Sequence, residues 1–300
     1  MELRHLRYFI RVAEELHFGR AAQRLGISQP PLSQQIRALE EELGLFLFDR
    51  TSRRVELTEA GRLFLVEARR TLEQADRAVQ VARRAQRGEL GELAIGFTAS
   101  APFAPAISRA LFDFRQAYPE VHLTLSEMGR ARQIEATLKH RLDIGFLRGL
   151  ELPALPAELI ATALFVEPLL VAMRADHPLA REGGPLSVQD IASERLVIYE
   201  RDPGAGFNEQ VEMLWRRAGH ELRIAQETRE LSTLLGLVSA GLGISVVSRS
   251  LSALHTDNVV YRPLADPSAQ SRMWLIRHHS ATTACRNFVA IVEKALIEAG

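Results

Sequence analysis

Gln29, Ser33, Gln34 and Arg37 bring two carboxamides, a hydroxyl and a guanidinium to one polar face near the start of a predicted helix. Side chains of these types can read base edges from the major groove: Gln matches adenine, Arg matches guanine, and Ser reaches either a base or a phosphate. Pro30 belongs with them as a candidate contact. The elements that must hold this face are legible around it. Ala21, Ala22 and Leu25 form one side of a short helix, Gly26 supplies a left-handed stop, and Ile27 plugs the turn. Ser28 is a good N-cap, and Pro30 and Pro31 fall where no intrahelical N–H is needed. Leu32, Ile36, Leu39 and Leu43 then make a single apolar stripe on the opposite face. A helical hairpin with a solvated polar face would account for the Gln/Ser/Arg face alone. The ordered combination points instead to a helix-turn-helix and to double-stranded DNA as partner.

A basic ribbon follows. Leu43 to Phe48 close the helix with apolar residues, and Asp49 to Leu57 reads as two short strands. Arg50, Arg53 and Arg54 on this wing are candidates for phosphate or minor-groove contact, with a solvated charge cluster as the plainer alternative. Together with Leu3 to Phe9, Ala21-Ala22, Ser28-Gln29-Pro30, Leu39-Glu40, Leu43-Gly44, Leu47-Phe48 and Leu57-Thr58-Glu59-Ala60-Gly61, this segment resembles the N-terminal domain of LysR-type transcriptional regulators.

The formal net charge is zero over the 300 residues, and residues 1–62 hold ten Arg against nine acidic residues. Any DNA-facing charge is therefore local, which favours a geometric reader over a general polyanion binder. One cysteine, Cys285, excludes an internal disulfide and a cysteine zinc site. The amphipathic N-terminus lacks the apolar core of a signal peptide, and no long apolar span occurs, so a cytoplasmic protein without membrane partner is expected. Thr58 can cap a helix running to about Arg87, some 45 Å long at 1.5 Å per residue. Its heptad seam of Leu65, Ala68, Leu72, Ala75, Val79, Ala82 and Gln86 suggests a dimerising rod, since an isolated rod has no core to pack on.

From Leu93 the pattern becomes α/β, with strands expected at 93–97, 122–127, 142–146, 168–173, 196–199, 244–247, 259–262 and 273–277 and helices between them. The expected organisation is thus α/β overall: a winged helix-turn-helix over 1–57, a linker helix over 58–87, and an effector-binding region over 88–300. The resemblance extends to this last region and implies a two-lobed domain like type 2 periplasmic binding proteins. Lobe I would hold 92–161 and 268–300, lobe II 162–267, with crossovers near Ala161–Glu167 and Ala265–Ser271.

Residues suited to a small anion lie at strand ends. Ser100 stands between a strand and a helix start, where a hydroxyl and free N–H groups meet, although a plain helix cap has the same pattern. Arg130 and Arg148, each just past a strand, could pair a carboxylate. Pro203 to Phe207 offer flexible backbone and, in Phe207, an aromatic wall. Glu127-Met128-Gly129, Gly145-Phe146, Glu227-Thr228-Arg229-Glu230 and Leu235 to Ser245 resemble the branch of the family that controls aromatic catabolism in response to muconate or benzoate. That resemblance implies that Ser100 and the residue after Met128-Gly129 touch the effector. This chain has Arg130 there, where muconate-responsive members carry a small hydroxyl residue.

No cofactor is expected. The resemblance implies an aromatic acid or dicarboxylic ring-cleavage product as effector, a dyad-symmetric DNA site, a homodimer or homotetramer, and RNA polymerase as a further partner. The alternatives are the same architecture sensing a non-aromatic metabolite, or an enzyme using the cleft, against which His177, His220, His278 and His279 lack metal-ligand spacing and Gly241-Leu242-Gly243 lacks the third glycine of a dinucleotide loop.

Overall fold

The computed structural model describes residues 1–50, 54–181, 183–199 and 207–299. The chain divides into two compact units, Met1–Arg84 and Ala85–Gly300. In the first, α1 (Leu3–Glu15), α2 (Phe18–Leu25) and α3 (Gln29–Leu43) precede a ribbon of β1 (Phe48–Arg50) and β2 (Val55–Leu57), and α4 (Glu59–Gln86) follows. Leu6, Phe9 and Val12 form the buried stripe of α1 and meet Ala21, Ala22, Leu32, Ile36 and Leu39 from the next two helices. Phe9 lies 5.3 Å from the Phe48 ring and 5.1 Å from Phe64, which ties α4 to the core. Gly26 and Gly44 end α2 and α3 at φ 68°, where a Cβ would be strained. His17 caps α2 through Nδ1, accepting from Gly19 N and Arg20 N. The ribbon is antiparallel, with Phe48 opposite Leu57 and Arg50 opposite Val55.

The heptad seam of α4 divides in two. Leu65, Ala68 and Leu72 pack on the core of their own unit, whereas Val79 is 49% exposed. The expectation of a rod with nothing to pack on is corrected for the first half, because Phe64 and its neighbours fill the open side of the three-helix core.

The second unit runs β3 (Gly91–Phe97), α5 (Pro105–Ala117), β4 (Val121–Glu127), α6 (Arg130–Leu138), β5 (Ile144–Gly149) and β6 (Leu159–Arg174). It continues with α7 (Val188–Ile191), β7 (Arg195–Tyr199), α8 (Phe207–Arg217), β8 (Arg223–Thr228) and α9 (Leu231–Ser239). It ends with β9 (Ser245–Ser248), β10 (Val259–Pro263), β11 (Gln270–His278) and α10 (Thr283–Ala299). The main sheet has the order β10-β6-β11-β5-β3-β4, β9 also pairs with β6, and β7 and β8 form a parallel pair joined to this sheet by a bridge between Leu196 and Ile244.

Two separate cores define two lobes. One gathers Leu93, Ile95, Phe114, Ile144, Phe146, Leu275 and Phe288. The other gathers Leu169, Val171, Met173, Leu196, Leu214, Trp215 and Ile244. β6 serves both: it pairs with β11 from Leu159 to Pro168 and with β9 and β10 beyond that point. The expected crossover at 161–167 is thus mid-strand rather than loop. Pro168, which has no N–H to donate, stands where the strand changes partners. β8 was not expected; its sequence is polar, only Thr228 is buried, and it lacks the apolar run by which a strand is read.

Candidate nucleic-acid interface and effector cleft

α3 presents two faces as its spacing requires. Leu32, Ile36 and Leu39 are fully buried, while Gln29, Pro30, Gln34 and Arg37 are exposed and Ser33 is half-buried. Ser28 is the N-cap residue but makes no side-chain capping bond. Gln35 is held at 2.9 Å by His5.

The wing arginines differ from one another. Arg50, expected as a phosphate contact, pairs with Glu40 and its guanidinium lies 5.0 Å from the Phe18 ring, which ties it to its own unit. Arg54 is exposed and pairs with Glu56 at 3.1 Å. Arg53 lies outside the described residues. Glu40, only 5% exposed, also accepts Leu47 N at 2.9 Å and Phe48 N at 3.1 Å. It therefore fixes the turn between α3 and the wing, a role that a glutamate in an otherwise ordinary helix does not announce.

Between the lobes, polar side chains collect on one sheet face. The register places Ser271 opposite Glu167, Ser248 opposite Leu169, and Arg148 opposite Met273, so Arg148, Glu167, Ser248 and Ser271 share that face. Arg148, 3% exposed, pairs with Glu167, whose second oxygen accepts Ser250 N at 2.9 Å and Ser250 Oγ. Burial lowers the Arg148 pKa, against the opposing pull of Glu167. Arg148, expected as a candidate ligand contact, thus already has a carboxylate partner for its charge. Its Nε and Nη2 donors do not, nor do Thr98 Oγ1, Ser248 Oγ and Ser271 Oγ, all buried. Glu167 stands between Val166 and Pro168 in an apolar strand, and that lone charge is the signal by which sequence reasoning could have found the pair.

Ser100 is 6% exposed and precedes a short 3-10 turn, Ala101–Phe103, without capping it. This turn packs against the turn Arg249–Ala253 of the other lobe, and Ala99 and Phe103 join a cluster with Leu231 and Tyr199. Arg130 opens α6 and reaches Glu209 of α8 at 3.2 Å, bridging the lobes. Phe207 begins α8 with its ring 6.4 Å from Tyr199. Residues 203–206 of the expected loop lie outside the described residues. The Tyr199 hydroxyl is raised well above the usual phenol range by burial and then by Glu127, with Arg148 opposing. Burial and then Glu230 raise the Glu127 carboxyl. Burial pushes the Cys285 thiol up to about 12, which makes it a packing residue rather than a nucleophile.

A winged helix-turn-helix followed by a two-lobed α/β unit with a polar junction defines a ligand-sensing DNA-binding regulator. Residues 3–62 match the bacterial regulatory helix-turn-helix family of LysR type, and residues 86–296 match the LysR substrate binding domain. The chain belongs to the LysR family of transcriptional regulators. It is 46% identical over 290 residues to the uncharacterized HTH-type transcriptional regulator YnfL of Escherichia coli, covering 96% of each chain. It resembles the crystal structure of full-length CbnR complexed with target DNA, with a TM-score of 0.85, 30% identity and coverage of 99% of this chain and 100% of that one. The BenM effector binding domain with its effector benzoate matches with a TM-score of 0.60 and 30% identity over 70% of this chain and 91% of that one. Among the described residues no helix is long and apolar enough to cross a membrane.

Proposed function

We propose that the regulator responds to a small organic acid held between its lobes, an aromatic acid or a ring-cleavage product, without any further cofactor. The observation that carries this reading is the group of buried hydroxyls and guanidinium donors without partners at the lobe junction. A buried donor left unpaired costs about 1–3 kcal/mol, so a carboxylate that satisfies several of them stabilises the closed arrangement. The similarity to a BenM domain bound to benzoate supports the same chemistry. Ser100, Arg130 and Phe207 surround that junction, and Arg148 lends its two spare donors.

Effector binding acts on DNA through the difference in its affinity for two arrangements of the protein. The exposed apolar residues of α4, Leu63 at 68%, Val66 at 48% and Val79 at 49%, support a homodimer, and a pair of such dimers makes the tetramer. The paired readers would take a dyad-symmetric site. Gln29, Pro30, Ser33, Gln34 and Arg37 read the bases, with Arg54 and Arg53 at the backbone and RNA polymerase as a further partner.

Two substitutions separate these roles. Arg37→Ala is expected to weaken operator binding by about 1–3 kcal/mol and to relax preference at one base pair. Fluorescence anisotropy on operator variants measures this, and a uniform loss across all sequences would reassign Arg37 to a phosphate. Ser100→Ala is expected to leave DNA affinity without effector intact while weakening the response about tenfold, the worth of one buried hydrogen bond. A thermal-shift screen with aromatic acids and ring-cleavage products tests the whole reading, because a ligand bound only by the folded state raises its stability.

A further inference from the structure

The electrostatics of the lobe junction narrow the effector class. The inference rests on the reading that a small acid binds there. Two arginines face the junction and each already has a carboxylate partner: Arg148 pairs with buried Glu167, and Arg130 pairs with Glu209. Neither contributes an unanswered positive charge. What the junction offers to an anion is a set of hydrogen-bond donors: Arg148 Nε and Nη2, Thr98 Oγ1, Ser248 Oγ and Ser271 Oγ, all buried and unpartnered, with Ser100 alongside.

The other end is acidic. Glu127 closes β4 directly beside Phe97 at the end of β3, and Met128 N donates to Phe97 O, which places Glu127 next to the loop that carries Thr98 and Ser100. Glu230 immediately precedes Leu231, whose side chain clusters with Ala99 and Phe103 of that same loop. The two carboxylates thus come from opposite lobes to one place, and no described residue pairs with either. Their mutual repulsion is felt in the raised Glu127 pKa, for which burial is the larger cause.

We infer that the cleft accepts one negative charge and no more: the effector is a monocarboxylate whose far end is uncharged and donates a hydrogen bond towards Glu127 and Glu230, and a dicarboxylate is excluded. One carboxylate is satisfied by the buried donors. A second would lie against these two carboxylates, while among the described residues Arg148 and Arg130 are already paired, so it meets a repulsion that solvent lessens without abolishing.

Isothermal titration of the full chain with benzoate, 4-hydroxybenzoate and cis,cis-muconate tests this. The expected result is that a monocarboxylate binds at least about tenfold tighter than muconate, and that Glu127→Gln with Glu230→Gln narrows the gap to about threefold or less. Both positions are exposed and the replacement is isosteric, so folding is preserved; each single variant provides a check. Muconate binding the unaltered protein as tightly as either monoacid overturns the inference and leaves the small-acid reading standing. A gap that survives both substitutions also overturns it, because the carboxylates are then not its cause. If none of the three acids binds the unaltered protein or the variants, the small-acid reading falls and this inference falls with it.

Discussion

Glu40→Ala is expected to destabilise the DNA-binding unit by about 2–5 kcal/mol, chiefly because the buried carboxylate is the acceptor of two backbone N–H groups. One carboxylate here does three jobs: it receives Leu47 N and Phe48 N and it pairs with Arg50. Alanine leaves two buried N–H groups without acceptors, at about 1–3 kcal/mol each. It also removes the anchor of a guanidinium packed over Phe18. A domain of this size has a total stability of only about 5–15 kcal/mol, so the loss is a large fraction of it. The turn between α3 and the wing is the point of failure, and both carry candidate DNA contacts. DNA affinity measured by anisotropy should fall more than tenfold, and limited proteolysis should cut the chain between residues 43 and 60 first. Glu40→Gln keeps one acceptor and should fall between the two. A proteolysis pattern and affinity unchanged in Glu40→Ala would show that the triple contact contributes nothing.

Glu167→Leu is expected to destabilise the second unit by a similar amount, about 3–5 kcal/mol, for a different reason. Arg148 would remain buried at 3% exposure with no counter-charge, while Ser250 N and Oγ lose their acceptor. Such a guanidinium cannot escape by losing its proton at neutral pH. The pair itself is not a strong source of stability, because desolvation of both ions offsets most of their attraction. Arg148→Met combined with Glu167→Leu should therefore recover the part of the loss due to the stranded charge, while Ser250 stays without its acceptor. Urea denaturation of the two single variants and the double variant measures the coupling. If the double variant were as unstable as the sum of the singles, the damage would come from packing and not from the stranded charge.

The helix-turn-helix was legible because its signals are local. Gly26 ends one helix, Pro30 and Pro31 open the next, and Leu32, Ile36 and Leu39 keep a 3.6-residue period that the structure turns inward. α8 and α10 were legible for the same reason. β6 was seen only from residue 168, since Ala161-Thr162-Ala163 carry little apolar signal and are held in the strand by pairing with β11. β8 escaped because an exposed strand need not be apolar. Arg50 read as a candidate phosphate contact and Arg148 as a candidate ligand contact, and both are paired with buried glutamates ten and nineteen residues away.

The sequence by itself determined the class of protein, the polar face of α3, and the succession of a DNA reader, a long helix and an α/β unit. These depend on periodicity and on residues within a turn or two of each other, where chain geometry dictates which side chains meet. Only the tertiary structure decided which charges are free. Whether an arginine greets a ligand or is neutralised depends on partners such as Glu40 and Glu167, brought up by strand register and by the packing of turns. So too with Glu127 and Glu230: they are 103 positions apart in the chain (230 − 127), and only the meeting of two loops makes them neighbours.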